Sequence, residues 1–198
     1  MELTENNFKN SVKEIELTNI EKEIINEFLK VELEKSLYKK YRDQEIVVIE
    51  EALKKLQSID TYLYSLTDWN SMNKIKKCED INNIYFLDST QIKKIKNEIE
   101  NEIVYHWKES DFNAIKTKML KQDEFRKIIN DRLKETLPMK SILYLSLPLI
   151  INHKNAMISF EIGNFQWAYH STNHFTVLMR KVNNKWVQNN FYDDGVYD

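Results

Sequence analysis

HFTVLMRKVNNKWVQNNFYDD, residues 174–194, is the stretch whose reading decides the fold. Two alternating runs flank Asn183-Asn184. Asparagine tolerates left-handed backbone angles better than other non-glycine residues, so the pair predicts a two-residue hairpin turn. A loop of that length sets Val182 opposite Lys185 and Lys181 opposite Trp186. Val177, Met179 and Trp186 then share one face, and Leu178, Val182 and Val187 share the other. Both faces carry apolar groups, and one face is expected to be buried under helices, with Trp186 as an anchor between sheet and helices.

Working outward from the hairpin, Ala156, Ile158, Phe160 and Ile162 alternate as a second strand. Asn152 to Asn155 reads as a turn, and Leu145 to Ile151 as a strand before it. Further upstream the period becomes helical. Thr18 and Glu21 make a Thr-x-x-Glu capping box that opens a helix through Ile20, Ile24, Phe28 and Val31, expected to end near Arg42. Ile46 to Ile49 alone suits a buried strand, but Ile46, Ile49, Leu53, Leu56 and Leu63 continue a helical stripe, and length favours a helix. Trp69 to Asn83 is polar and reads as a mobile connection. Asp88 caps a third helix with a seam of Ile92, Ile95, Ile99 and Ile103. Ala114 to Met119 alternates as an edge strand guarded by lysines. Asp123 then caps a short helix through Phe125, Ile128, Ile129 and Leu133, and Pro138 ends this unit.

Helices first and an antiparallel meander after them predict an α+β fold, with N-terminal helices packed on a C-terminal antiparallel β-meander. One domain is expected over 1–198: a loose arm over 1–17, a mainly helical part over 18–104, and a mixed part over 105–198 holding the sheet at 141–192. At 198 residues, 42% hydrophobic and 12% aromatic, the chain can bury a substantial core unaided. A net charge of -2, from 29 basic and 31 acidic residues, favours no polyanionic partner, and the lysine clusters at 74–77 and 93–96 read as solvated helix faces, so nucleic acid is not expected. Cys78 is the single cysteine, which excludes an intramolecular disulfide and a multi-cysteine zinc cage. The polar start lacks a signal-peptide core, and no apolar run approaches the ~20 residues of a membrane helix, so the chain as written is expected in the cytoplasm.

The candidate chemistry gathers near the C-terminus. His170 and His174 stand four apart, and with Asp193 or Asp194 they suggest a two-histidine, one-carboxylate site. The stretch lies between Trp167 and a strand, however, and no glutamate follows the first histidine as zincins require, so water-facing loop histidines outweigh a metal site and no metal or cofactor is assigned. Strand geometry places His174 and Asp193 at one end of the sheet, which predicts a histidine-carboxylate proximity there. Asp193-Asp194-Gly195 lacks EF-hand spacing and reads as a turn. A Ser-His-Asp set drawn from Ser146 or Ser159, His170 or His174, and Asp193 has no Gly-x-Ser-x-Gly elbow. Gly163 and Gly195 are the only glycines, which excludes both a Rossmann fingerprint and a P-loop. His106 and His153 read as aromatic packing and turn solvation. Phe165, Trp167 and Tyr169 alternate and would form a stacking platform for a sugar or peptide if exposed, against the plainer reading of strand alternation into the core.

The runs YLSLPLII, NAMISFEIGN, HFTVLMRKVNNKW and YDDGV resemble a group of uncharacterised bacterial proteins, seen mainly in Bacteroidetes, with a Ser-x-Pro-Leu-Ile strand and a Lys-x-Asn-x-Lys-Trp hairpin. The similarity continues more weakly through INEFLKVELEKSLYKKY, YFLDSTQIK and YHWKESDF. Leu147 departs from it, since related chains more often carry lysine there. The resemblance implies no activity. Members with an export or lipoprotein leader imply a periplasmic or lipoprotein location if a native leader has been removed. Two functions follow from the residues: a non-catalytic protein binding a protein, peptide or small saccharide through the sheet's aromatic surface or an exposed helix face, and, as the alternative, a small hydrolase or metal-dependent enzyme near the 170–174 loop and the 193–194 turn.

Overall fold

The computed structural model describes residues 16–35, 45–72, 85–130, 141–164 and 173–193. Among the described residues four helices, α1 (Asn19–Glu32), α2 (Lys55–Met72), α3 (Ser89–Ile99) and α4 (Gln122–Asn130), pack on seven strands: β1 (Ile46–Ile49), β2 (Thr117–Leu120), β3 (Ser141–Leu145), β4 (Leu149–Asn152), β5 (Asn155–Asn164), β6 (Asn173–Val182) and β7 (Lys185–Asp193). The strands form one sheet in the order β2-β1-β3-β5-β6-β7, with β4 pairing β5 beside β3. The α+β class holds, and the antiparallel meander runs from β3 to β7.

The hairpin turns where the asparagines place it. Asn183 and Asn184 have φ of 49° and 65°, and Val182 faces Lys185 while Lys181 faces Trp186. Val177, Met179 and Trp186 enter one core with α1, whereas Leu178 enters another under α2 and α3. A left-handed angle costs a β-branched residue roughly 1–2 kcal/mol, so Asn184→Val is expected to lower stability by about that amount while Asn184→Gly leaves it equal or higher. Urea unfolding of both variants checks this, and equal losses would mean the turn is not set by backbone angle.

Ile46–Ile49 corrects the helical reading. This run is β1, hydrogen-bonded in parallel to both β2 and β3 and buried at all four positions. Ile46 and Val48 face one core, and Val47 and Ile49 face another. A strand buried on both faces reads as a continuous apolar run, and it mimics a helical stripe once the helix that follows is appended to it. The edge strand forecast near 114–119 exists as β2, at Thr117–Leu120, but it pairs in parallel. The sheet is therefore mixed, with two strands set among the helices.

Smaller corrections have similar causes. The capping box at Thr18 and Glu21 is present, yet α1 ends at Glu32, well short of Arg42, and its closing turn runs through residues 33–35. α2 extends through Met72 into the expected connection, whose residues 73–84 lie outside the described chain. Asp88 caps α3 with Gln91, and Ile92, Ile95 and Ile99 line its buried side, but Ile103 lies past the helix and is 71% exposed. Asp123 lies within the first turn of α4 rather than at its cap. The strand expected over 145–151 is two, β3 and β4, separated at Ser146 to Pro148, where proline has no amide to donate. The arm before residue 16, Leu133 and Pro138 lie outside the described residues.

Three layers result. α1 and the segment from Tyr105 to Ile115 cover one face of the sheet. On the other face, α2 and α3 cover β4 to β7, and α4 covers β1 and β3 through Phe125 against Tyr144. Asn26 ties the first layer together. Its side chain donates to the carbonyls of Lys22 (2.8 Å) and Asp111 (3.1 Å) and accepts from the amides of Asn113 (2.8 Å) and Ala114 (3.0 Å).

Candidate binding site

Beneath α2 the strands present polar groups where a covered face would ordinarily be apolar. Register sets Tyr144, Glu161 and His174 in one cross-strand row. Ser146, Ser159 and Thr176 form the next. α2 answers with Gln57 and Ser58. The Ser159 hydroxyl bonds those of Ser58 (2.8 Å) and Thr176 (2.7 Å), and the Ser159 amide donates to the Ser146 hydroxyl (2.9 Å). All four of these residues are wholly buried. One row further, Gln57 Nε2 donates to Glu161 Oε1 at 3.1 Å, and His174 Nδ1 lies 3.4 Å from the same oxygen, an ion pair when the imidazole is protonated.

Among the described residues the carboxylate that meets His174 is Glu161. Asp193, on β7, pairs with Phe175 of β6, one position along from His174, and alternation directs its side chain to the opposite face of the sheet. Asp194, His170, Phe165, Trp167 and Tyr169 lie outside the described residues. Among the described residues no group of three or more histidine, cysteine, aspartate or glutamate side chains is placed to hold a metal ion. His106 sits on the surface with Nδ1 3.2 Å from Glu50. Glu161 and Gln57 were missed in the sequence, though a signal existed: Met157, Ser159 and Glu161 grow more polar along a strand face that a helix covers.

Gln57 also lines a groove of about 820 Å³ along the outer side of α2. Leu53, Leu56, Tyr64 and Val104 give it apolar walls, and Glu51, Lys54 and Asp60 stand among its lining residues. Leu56, Asp60 and Tyr64 recur every four residues, which aligns them on one helix face. Tyr64 is 49% exposed, and Val104, which lines the groove with it, is exposed too. Two of the groove's three charges are engaged: Asp60 with Lys96 at 2.7 Å, and Glu51, which accepts the Gln122 amide at 2.8 Å. Lys54 has no ion-pair partner among the described residues.

A cluster of phenols closes the far end of α2. Tyr62 and Tyr192 meet edge to face at 5.0 Å, with Tyr85 5.6 Å from Tyr62. Burial raises all three phenols above their ordinary value of 10.0, most strongly Tyr192. The unfolded chain releases these protons more readily, so their contribution to stability is complete below about pH 10 and is lost as pH rises beyond it. Tyr192→Phe is expected to flatten that alkaline loss in urea unfolding between pH 9 and 11, roughly the window of the free phenol. An unchanged slope would mean that Tyr192 ionises freely in the fold.

No helix among the described residues is long and apolar enough to cross a membrane. The chain matches no model of a known protein family, no curated protein and no solved structure.

Proposed function

We propose that the protein is a non-catalytic binding protein that holds a peptide segment of a partner in the groove along α2. The observation that carries this reading is the groove itself, whose volume of about 820 Å³ falls within the range of ligand sites, roughly 300–1,000 Å³, and whose walls are mostly apolar. Lys54, the one cation among its lining residues, favours an occupant whose apolar side chains are flanked by an acidic group. This is the exposed helix face of the two surfaces expected from the sequence.

The hydrolase alternative draws on the same neighbourhood. Serine, histidine and carboxylate do come close, but the hydroxyls of Ser58, Ser146, Ser159 and Thr176 are buried and bonded among themselves, leaving none of them accessible for attack on a substrate. The seam instead fixes α2 on the sheet and so holds the groove's floor rigid.

Fluorescence titration with anilinonaphthalene sulfonate, an apolar ring system carrying one anion, tests the reading. Saturable binding to the native protein is expected, weakened at least about tenfold by Leu56→Lys or Tyr64→Lys and by a few-fold in Lys54→Ala, with melting temperatures preserved. Equal binding by all four proteins would overturn it, as would covalent labelling of Ser159 or Thr176 by a fluorophosphonate.

A further inference from the structure

The groove along α2 has a polar stripe beside its apolar wall. Lys54, Gln57 and Thr61, three and then four residues apart, lie along one side of the helix and its entry turn, next to the row of Leu56, Asp60 and Tyr64. Thr61 carries the clearest sign of a missing partner. It is only 5% exposed, yet its hydroxyl has no hydrogen bond among the described residues. A helical threonine commonly bonds the carbonyl four residues before it, as Thr67 does with Leu63 at 2.9 Å, and Thr61 makes no such bond with Gln57. Nor is the hydroxyl sealed in the core, where the unbonded side-chain atoms among the described residues are Ser141 Oγ and Trp186 Nε1. It opens instead to the groove that Thr61 lines.

Gln57 offers a second group one turn away. Its Nε2 donates to Glu161 Oε1 at 3.1 Å, and since Nε2 is the donating end of the amide, that bond turns Gln57 Oε1 the other way. This oxygen is an acceptor with no partner among the described residues. Lys54 stands a further turn toward the helix start, where its carbonyl accepts the Gln57 amide at 3.0 Å. Spacing identifies the occupant. Gln57 and Thr61 are about 6.0 Å apart along the helix axis, and the backbone groups on one edge of an extended chain recur every second residue, at ~6.7 Å. A helical occupant would spend its backbone groups on its own bonds and leave both side chains unmet.

We propose that, with the α2 groove as the binding site, its occupant is a partner's peptide segment held in extended form. Gln57 Oε1 accepts a backbone N–H, and the Thr61 hydroxyl bonds a backbone group two residues along. A carboxylate-bearing residue follows at the Lys54 end, where the groove's one lining cation meets it. Alternate side chains of the segment then fall on Leu56, Tyr64 and Val104, which supply the apolar contact. The backbone bonds fix the register of the segment, and the apolar wall and Lys54 select its side chains.

NMR titration of the full chain with acetyl-Leu-Ala-Leu-Ala-Asp-amide is the test, beside three forms of the peptide methylated singly at the backbone nitrogen of its second, third or fourth residue. Saturable binding is expected for the parent peptide. Methylation is expected to weaken it about threefold to tenfold with a period of two, at the third residue alone or at the second and fourth but not the third. Thr61→Val, which keeps the shape of the side chain, is expected to weaken the parent peptide by about the same factor and to leave anilinonaphthalene sulfonate binding within about twofold. Equal effects of methylation at all three positions would overturn the extended occupant. So would an unchanged peptide affinity in Thr61→Val, a parallel loss of peptide and dye in that variant, or no peptide binding by a protein that takes up the dye. Failure of the unaltered protein to bind the dye would instead overturn the groove as a site.

Discussion

Trp186→Ala and Trp107→Ala are each expected to destabilise the protein by about 3–5 kcal/mol in urea unfolding, because each leaves a cavity the size of an indole in the same core. Trp107 is 1% exposed and Trp186 is 2% exposed, and both pack in the layer under α1. Phenylalanine separates them. Trp107 Nε1 donates to the Leu145 carbonyl at 3.0 Å, an oxygen that also accepts the Leu53 amide at 3.0 Å. Trp107→Phe therefore forfeits one bond without stranding the acceptor, at about 1 kcal/mol beyond the lost ring volume. Trp186 Nε1 is buried with no hydrogen-bond partner among the described residues. Trp186→Phe removes an unmet donor, whose burial costs roughly 1–3 kcal/mol, and this offsets part of the lost packing. Trp186→Phe should then be the milder change. A Trp186→Ala variant that melts within a degree or two of the parent would place Trp186 on the surface and reverse the faces of the hairpin.

Asn26→Ala is expected to cost about 2–4 kcal/mol, more than its size suggests, since two amides and two carbonyls lose a partner together. The amides of Asn113 and Ala114 depend on this one oxygen, and the segment they belong to carries Asp111, which accepts the Tyr105 hydroxyl at 2.9 Å and the Lys108 amide at 3.0 Å. Losing Asn26 should loosen the loop before it unfolds the domain. Hydrogen exchange at Asn113 and Ala114 should accelerate in Asn26→Ala under native conditions. Unchanged protection there would mean that the loop is held by the Trp107 and Phe112 rings alone.

How much of this was legible in the sequence follows from how local each signal is. The Asn183-Asn184 turn, the caps at Thr18 and Asp88 and the faces of β6 depend on neighbours a few residues away, and periodicity captures them. β1 does not, because Ile46–Ile49 becomes a strand by pairing with residues some 70 and 95 positions later in the chain. Its β-branched composition pointed to a strand, and the apolar residues of the following helix outweighed it. The break at Pro148 was readable in principle, as proline's missing amide marks a ladder interruption. The site was the least legible part. Glu161 meets His174 across β5 and β6 and Gln57 from a helix a hundred residues earlier, and no motif spacing connects the three. The groove likewise depends on Val104 coming beside Leu53 and Tyr64, which only the folded chain specifies.

Methyl-detected NMR during titration with anilinonaphthalene sulfonate tests the binding reading most directly, because it locates the occupant rather than inferring it from affinity. Leu53, Leu56 and Val104 methyl signals should shift together along one saturable curve, while those of Ile162, Leu143 and Val177 in the opposite core stay in place. Shifts confined to that core, or to residues flanking Glu161 and His174 with the groove methyls silent, would contradict it.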